Sequence, residues 1–272
     1  SANGGGIRLV TATTSGNITN CIFSENTQSG NEWGGGGAIF ADGEIYIENC
    51  TFLNNSTMKQ GGGVCLNATA SGLILNSTFE SNEAYGGGGT GGNGGKFGHG
   101  GAVFSNHSAS VTNCSFTNNV ARASGGAFSG RGTLQYCTFT GNNAAVGGAV
   151  GGAPPTAPPT IIQECLFDNN SAGTEVVWGG WGGAVYTGGL IENCVFVNNY
   201  GHNANTWSLG GAVYSNAATI NNSMFCSNYA QTENNICGSY ESNIDNYFYE
   251  NCNDTPSVSE WINPNGGSFE FF

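Results

Sequence analysis

The chain has 272 residues, 18 of them acidic and 5 basic, for a formal net charge of −13. That charge excludes nucleic acid and anionic lipid as partners, because the surface would repel phosphate. Hydrophobic residues at 38% suffice to bury a core, while 47 Gly and abundant Asn argue against helices, whose stability both residues lower. No apolar run approaches the ~20 residues of a membrane span, so membrane insertion is not expected. No signal peptide is visible, and an export leader is expected to have been removed or never included.

In chain order, two short signatures alternate. The first is a Gly pair before an apolar residue: "GGGI" (4–7), "GGAI" (36–39), "GGGV" (61–64), "GGAV" (100–103), "GGAF" (125–128), "GGAV" (147–150), "GGAV" (182–185) and "GGAV" (210–213), with a degenerate "GGSF" at 266–269. The second is Phe followed three residues later by Asn: Phe23/Asn26, Phe52/Asn55, Phe79/Asn82, Phe116/Asn119, Phe139/Asn142, Phe167/Asn170, Phe196/Asn199, Phe225/Asn228 and Phe248/Asn251. The Phe spacing varies from 23 residues (Phe116 to Phe139) to 37 (Phe79 to Phe116), which a helical repeat would not tolerate and a coil with variable loops would.

In "IENCTF" (47–52) a left-handed bend at Asn49 would reset the strand parity, turning Ile47, Cys50 and Phe52 inward and Glu48 and Thr51 outward. Each copy then reads as short strands that bury an apolar face only against neighbouring copies. The expected fold is all-β: a single-stranded parallel β-helix of about nine to ten rungs spaced ~4.8 Å apart. Right-handed coiling is expected from the handedness of parallel crossovers. Residues 1–251 form the β-helix repeat domain, and 252–272 are either an unfinished half-rung or a cap.

The paired GGA[ILV] and FxxN signatures, covering residues 4 to about 251, resemble the repeats of the polymorphic membrane protein (Pmp) family of surface proteins. The resemblance implies an exported adhesive or structural rod without enzymatic activity and without cofactor. No membrane barrel follows the repeats, so autotransport is not part of the expectation.

One residue after the bend, the chain reads Cys21, Cys50, Ser77, Cys114, Cys137, Cys165, Cys194, Ser223. Two readings are open: disulfides between neighbours (Cys21–Cys50, Cys114–Cys137, Cys165–Cys194) or a ladder of buried thiols. Off this ladder, Cys237 and Cys252 suit a clip near the C-terminus. No cysteine spacing fits zinc. An even total of 10 Cys and sequons at Asn17, Asn54, Asn55, Asn67, Asn106, Asn169 and Asn253 point to an extracellular glycoprotein, although Asn- and Ser-rich sequence also makes sequons by chance.

The loops between FxxN and the next Gly pair carry Trp33, Tyr85, Phe97, Trp178, Trp181, Tyr200 and Trp207, expected to line one edge of the rod. That edge is either a contact surface for a glycan or another subunit, or the loops bury their own aromatics. Leu166, Val195 and Met224, between Cys or Ser and Phe, are expected to form an exposed apolar strip. Ile7 and Leu9 at one end and Phe269, Phe271 and Phe272 at the other are candidates for end-to-end contact between copies, which would build a filament. Catalysis in a β-helix needs carboxylates clustered on adjacent rungs. Only Glu164, Asp168 and Glu192 approach that, and the expectation is a non-enzymatic cell-surface building block. The alternative is a carbohydrate-binding or polysaccharide-cleaving module.

Overall fold

A computed structural model describes residues 5–9, 15–29, 34–67, 70–86, 98–152, 160–173, 180–202, 208–244 and 246–249. Among these there is no helix, and every strand pairing is parallel. The fold is a parallel β-helix with three faces, each a sheet of stacked strands. One face, here the Phe sheet, stacks nine three-residue strands in chain order, from Ile22–Ser24 through Thr51–Leu53 to Tyr247–Tyr249. The short sheet stacks seven strands, from Thr27–Gln28 to Tyr200–Gly201. The long sheet has 14 strands in two columns, one of strands that follow the Gly pairs and one of strands that precede the cysteine position.

The chain turns where a residue adopts positive φ, and the sequence supplies residues that can. The bend before the cysteine position is Asn20, Asn49, Asn76, Asn113, Asn193 or Asn222 in six rungs, with φ between 46° and 55°. Asn tolerates this region because its short amide can bond locally. A second bend falls one residue before the FxxN asparagine, at Asn54, Ser81, Asn118, Gly141, Asn169 and Asn198. The third is the first Gly of each pair, such as Gly61 (φ 66°) and Gly125 (φ 62°). The second Gly is needed for proximity: a Cβ on Gly126 would run into the carbonyl oxygen of Gly148 on the next rung.

Between bends the inward positions stack in register. Phe52, Phe79, Phe116, Phe139, Phe167, Phe196 and Phe225 are fully buried, and neighbouring rings lie 4.6–4.9 Å apart at nearly parallel planes. That spacing equals the strand separation, so the ladder itself sets the ring stack. Ile47, Cys50 and Phe52 point inward and Glu48 and Thr51 lie half-exposed, as the reset parity requires.

The FxxN asparagines form the second ladder, one residue after the bend rather than on it. Asn55, Asn82, Asn119, Asn142, Asn170 and Asn199 are fully buried. Each uses all of its side-chain capacity. The Oδ1 of Asn82 accepts the backbone N–H of Asn55 (3.1 Å) and its Nδ2–H (2.9 Å). The Nδ2 of Asn82 donates to Asn119 Oδ1 (3.0 Å) and to the carbonyl of Phe52 (2.9 Å). A buried amide with two donors and two acceptor sites all filled costs little to desolvate.

Candidate functional site

The cysteine position is a third ladder, and it resolves as thiols. Cys21, Cys50, Cys114, Cys137, Cys165 and Cys194 are all free, so the neighbour disulfides are not formed. Each sulfur instead lies within hydrogen-bonding distance of the carbonyl two residues earlier, and those of Cys50, Cys114, Cys137, Cys165 and Cys194 also reach a carbonyl of the preceding rung. Cys50 Sγ donates to the carbonyl of Glu48 at 3.2 Å, and the same sulfur lies 3.4 Å from the N–H of Cys21, which it accepts. Ser77 does both jobs with oxygen: its hydroxyl donates to Leu75 O at 2.7 Å and accepts Cys50 N–H at 3.1 Å. Ser223 repeats the pattern with Asn221 O and Cys194 N. The position therefore asks for one short side chain with a donor and an acceptor, which explains why Ser and Cys exchange there. Burial pushes the Cys114 and Cys165 thiols well above their ordinary pKa, so they stay protonated and poorly nucleophilic.

The expected clip also changes. Cys237 is a free thiol, whereas Cys226 is disulfide-bonded; Cys252 lies outside the described residues. Near Cys226 the apolar strip is not exposed. Leu166 is half-buried, and Val195 and Met224 are fully buried although they flank the inward Phe positions. The outer side of the Phe sheet is thus covered at Val195 and Met224, where solvent was expected, while Tyr247, next in the row, is exposed.

The carboxylates do not cluster. Glu164 Oε1 accepts from Asn193 Nδ2 (3.0 Å), Glu192 Oε2 from Gln163 Nε2 (2.9 Å), and Asp168 Oδ1 from Asn198 Nδ2 (3.3 Å). Each is a rung-to-rung link to an amide, and among the described residues no three His, Cys, Asp or Glu side chains could share a metal ion. Glu164 occupies the bend at φ 56°, which Asn fills in most rungs. Burial raises its carboxyl pKa, opposed by the Asn193 bond, with the Glu192 charge adding to the rise. Glu164→Asn keeps an acceptor for Asn193 and relieves the backbone, for an expected gain of about 1 kcal/mol. A carboxyl with a raised pKa is penalised only when ionised, so the gain should grow as pH rises from acid to neutral. Urea unfolding of both proteins at several pH values measures it, and equal stability at neutral pH would contradict the assignment.

The Chlamydia polymorphic membrane protein repeat matches at residues 49–67, 113–131 and 164–188. Each match opens on the left-handed bend before the cysteine position and runs past the Gly pair, so it spans one full set of the ladders. The chain carries Pmp-type repeats. It has no match among curated proteins or solved structures.

With the interior of the Pmp-type repeats filled by ladders, contacts fall to the outside. Of the sequons, Asn55 is a buried ladder residue with both Nδ2 donors engaged, to Asn82 and to the carbonyl of Phe23, which removes it as a glycan acceptor. Asn17, Asn54, Asn106 and Asn169 are exposed, and Asn67 is half-exposed with its Nδ2 donating to Asp42 (2.6 Å); Asn253 lies outside the described residues. Of the aromatic edge, Trp33, Phe97, Trp178 and Trp207 also lie outside them. The other three do not share one edge. Trp181 stacks on Tyr214 (5.5 Å) against the long sheet, and Tyr214 stacks on Tyr186 (5.4 Å). Tyr200 lies in the short sheet, stacked on Tyr229 (5.2 Å), and Tyr85 follows a short-sheet strand.

What the edge reading missed is the outer row of the short sheet. The residue after each FxxN asparagine stacks in register: Thr27, Ser56, Glu83, Val120, Asn143, Ser171, Tyr200 and Tyr229. Thr27 and Ser56 hydroxyls lie 3.1 Å apart, and Asn143 Nδ2 donates to Ser171 Oγ at 2.7 Å. The signal was available, since this is a fixed position of the Pmp-type repeat pointing away from the buried Asn. Of the end-contact residues, Ile7 and Leu9 are half-buried against the core, while Phe269, Phe271 and Phe272 lie outside the described residues.

Proposed function

We propose that the protein is a non-enzymatic extracellular rod that serves as a structural or adhesive element of a cell surface, built into an appendage by end-to-end and lateral contacts. The observation that carries this reading is the state of the Phe stack at its two ends. Phe248 stacks on Phe225 at 5.2 Å yet is 48% exposed, and Ile22, on the edge strand beside Phe23, is 75% exposed. Edge strands with exposed apolar groups are templates for another copy of the same sheet. Stacking one rod on the next would extend the Phe and Asn ladders without new chemistry. The family to which the repeats point supports the surface setting.

Negative-stain electron microscopy of the whole protein over a range of concentrations tests the assembly. Filaments that thicken or lengthen with concentration are expected, and Ile22→Asp or Phe248→Asp should reduce them to short rods. Short single rods at every concentration would overturn the end-to-end part.

A further inference from the structure

We propose that the outer face of the short sheet around Tyr85 and Arg122 is a binding groove for a neutral oligosaccharide. The proposal deepens the adhesive reading, because it names the ligand class for a surface rod. The groove has a volume of about 280 Å³, at the small end of ligand clefts and suited to one sugar ring at a time. Glu83, Tyr85, Val120, Arg122 and Asn143 are among its lining residues.

The topology brings these residues together across 60 residues of chain. Glu83 pairs with Val120 and Val120 with Asn143, so three successive rungs supply one row. Strand alternation buries Ala84 and Ala121 and turns Tyr85 and Arg122 outward beside that row. Strands with neighbours on both sides hold Glu83, Val120, Arg122 and Asn143, and Tyr85, one residue past its strand, is anchored by its N–H to the Thr57 carbonyl (3.0 Å), so the site is preorganised and offers no free strand edge to an extended peptide.

The chemistry selects a sugar. A hydroxyl both donates and accepts, and the groove offers an exposed carboxylate as acceptor and an exposed guanidinium with five N–H donors. Neither Glu83 nor Arg122 has an ion-pair partner among the described residues. Charge-assisted bonds from such groups are stronger than neutral ones. The half-buried Tyr85 ring and the 38% exposed Val120 supply an apolar surface for the C–H face of a pyranose. One negative and one positive group leave the groove locally neutral, and the net charge of −13 repels acidic polysaccharides. The same row continues through Ser171 to Tyr200 and Tyr229, so a chain lying along the rod axis would meet a hydroxyl and then an aromatic pair.

The test uses the whole protein against immobilised hexasaccharides: neutral gluco-, manno- and galacto-configured chains, and uronate-containing and sulfated chains. Binding to at least one neutral chain is expected, with a loss of tenfold or more in both Tyr85→Ala and Arg122→Ala. Thermal unfolding should show both variants folded, since both side chains face outward. Conservative Arg122→Lys should retain part of the affinity, as a single point charge replaces the fork. Absence of binding to every neutral chain would overturn the proposal, as would binding confined to acidic chains or unaffected by both variants. Filament formation is expected to be unchanged in Arg122→Ala, and its loss would mark the groove as a self-contact instead. Failure of saccharide binding with filaments intact would leave the surface-rod reading standing.

Discussion

Asn142→Ala is expected to destabilise the protein by about 2–6 kcal/mol, because it orphans two buried donors at about 1–3 kcal/mol each. Asn142 Oδ1 accepts the backbone N–H (2.9 Å) and the Nδ2–H (3.0 Å) of Asn119, and its Nδ2 donates to Phe116 O (3.0 Å) and Asn170 Oδ1 (3.0 Å). Alanine leaves the Asn119 backbone N–H and one of its Nδ2–H groups without partners in a region closed to water, while the Phe116 carbonyl loses its side-chain donor but stays in the strand ladder with the Phe139 rung. Asn170 keeps the backbone N–H of residue 142, so that side of the ladder suffers less. Asn142→Asp is the sharper variant. It preserves shape and acceptors but turns carboxylate oxygens toward Asn170 Oδ1 and Phe116 O, so acceptor faces acceptor. Its cost should therefore match or exceed that of alanine at neutral pH and diminish in acid, where a protonated oxygen can donate. Urea unfolding midpoints report both, and a loss below about 1 kcal/mol for either variant at neutral pH would refute the ladder as a source of stability.

Phe139→Ala is expected to cost about 3–5 kcal/mol through lost burial and an unfilled cavity. The ring is fully buried and stacked between Phe116 (4.9 Å) and Phe167 (4.7 Å), so its removal breaks two aromatic contacts as well. In a stack where each rung contacts only its neighbours, the damage should be local. Hydrogen exchange is expected to accelerate at the rungs of Phe116, Phe139 and Phe167 and to change little at Phe52. Uniform acceleration along the rod would show that the stack unfolds as one unit instead. Phe139→Leu, which keeps most of the volume, should cost clearly less than alanine.

How much of this was legible varies residue by residue. The Phe, Cys and Gly-pair periods announced the β-helix, and the bend at Asn49 was readable because positive φ is a local demand that few side chains meet cheaply. Tyr136 and Glu164 occupy the same bend at φ 55° and 56° and carry no such signal. There the stacked neighbours impose a conformation that the residue itself does not favour. Asn54 and Asn55 are adjacent and chemically identical, yet one is an exposed bend and the other a buried ladder member. The exposed strip expected at Val195 and Met224 failed for a related reason: alternation says which way a side chain points, not whether something lies over it.

The amino-acid sequence by itself determined the shape of one rung: where the chain turns, which residues point inward, and that such a rung must stack to bury them. Those properties follow from backbone sterics and side-chain alternation over a few residues. Only the tertiary structure decided the contacts between rungs: that the ladder cysteines at the bend stay thiols bonded to carbonyls, that the FxxN asparagines saturate one another, and that Tyr85 and Arg122 flank one groove. The loops separating the rungs vary in length, so sequence distance carries no information about which residues meet. Register along the stack sets that, and register is a property of the assembled sheets.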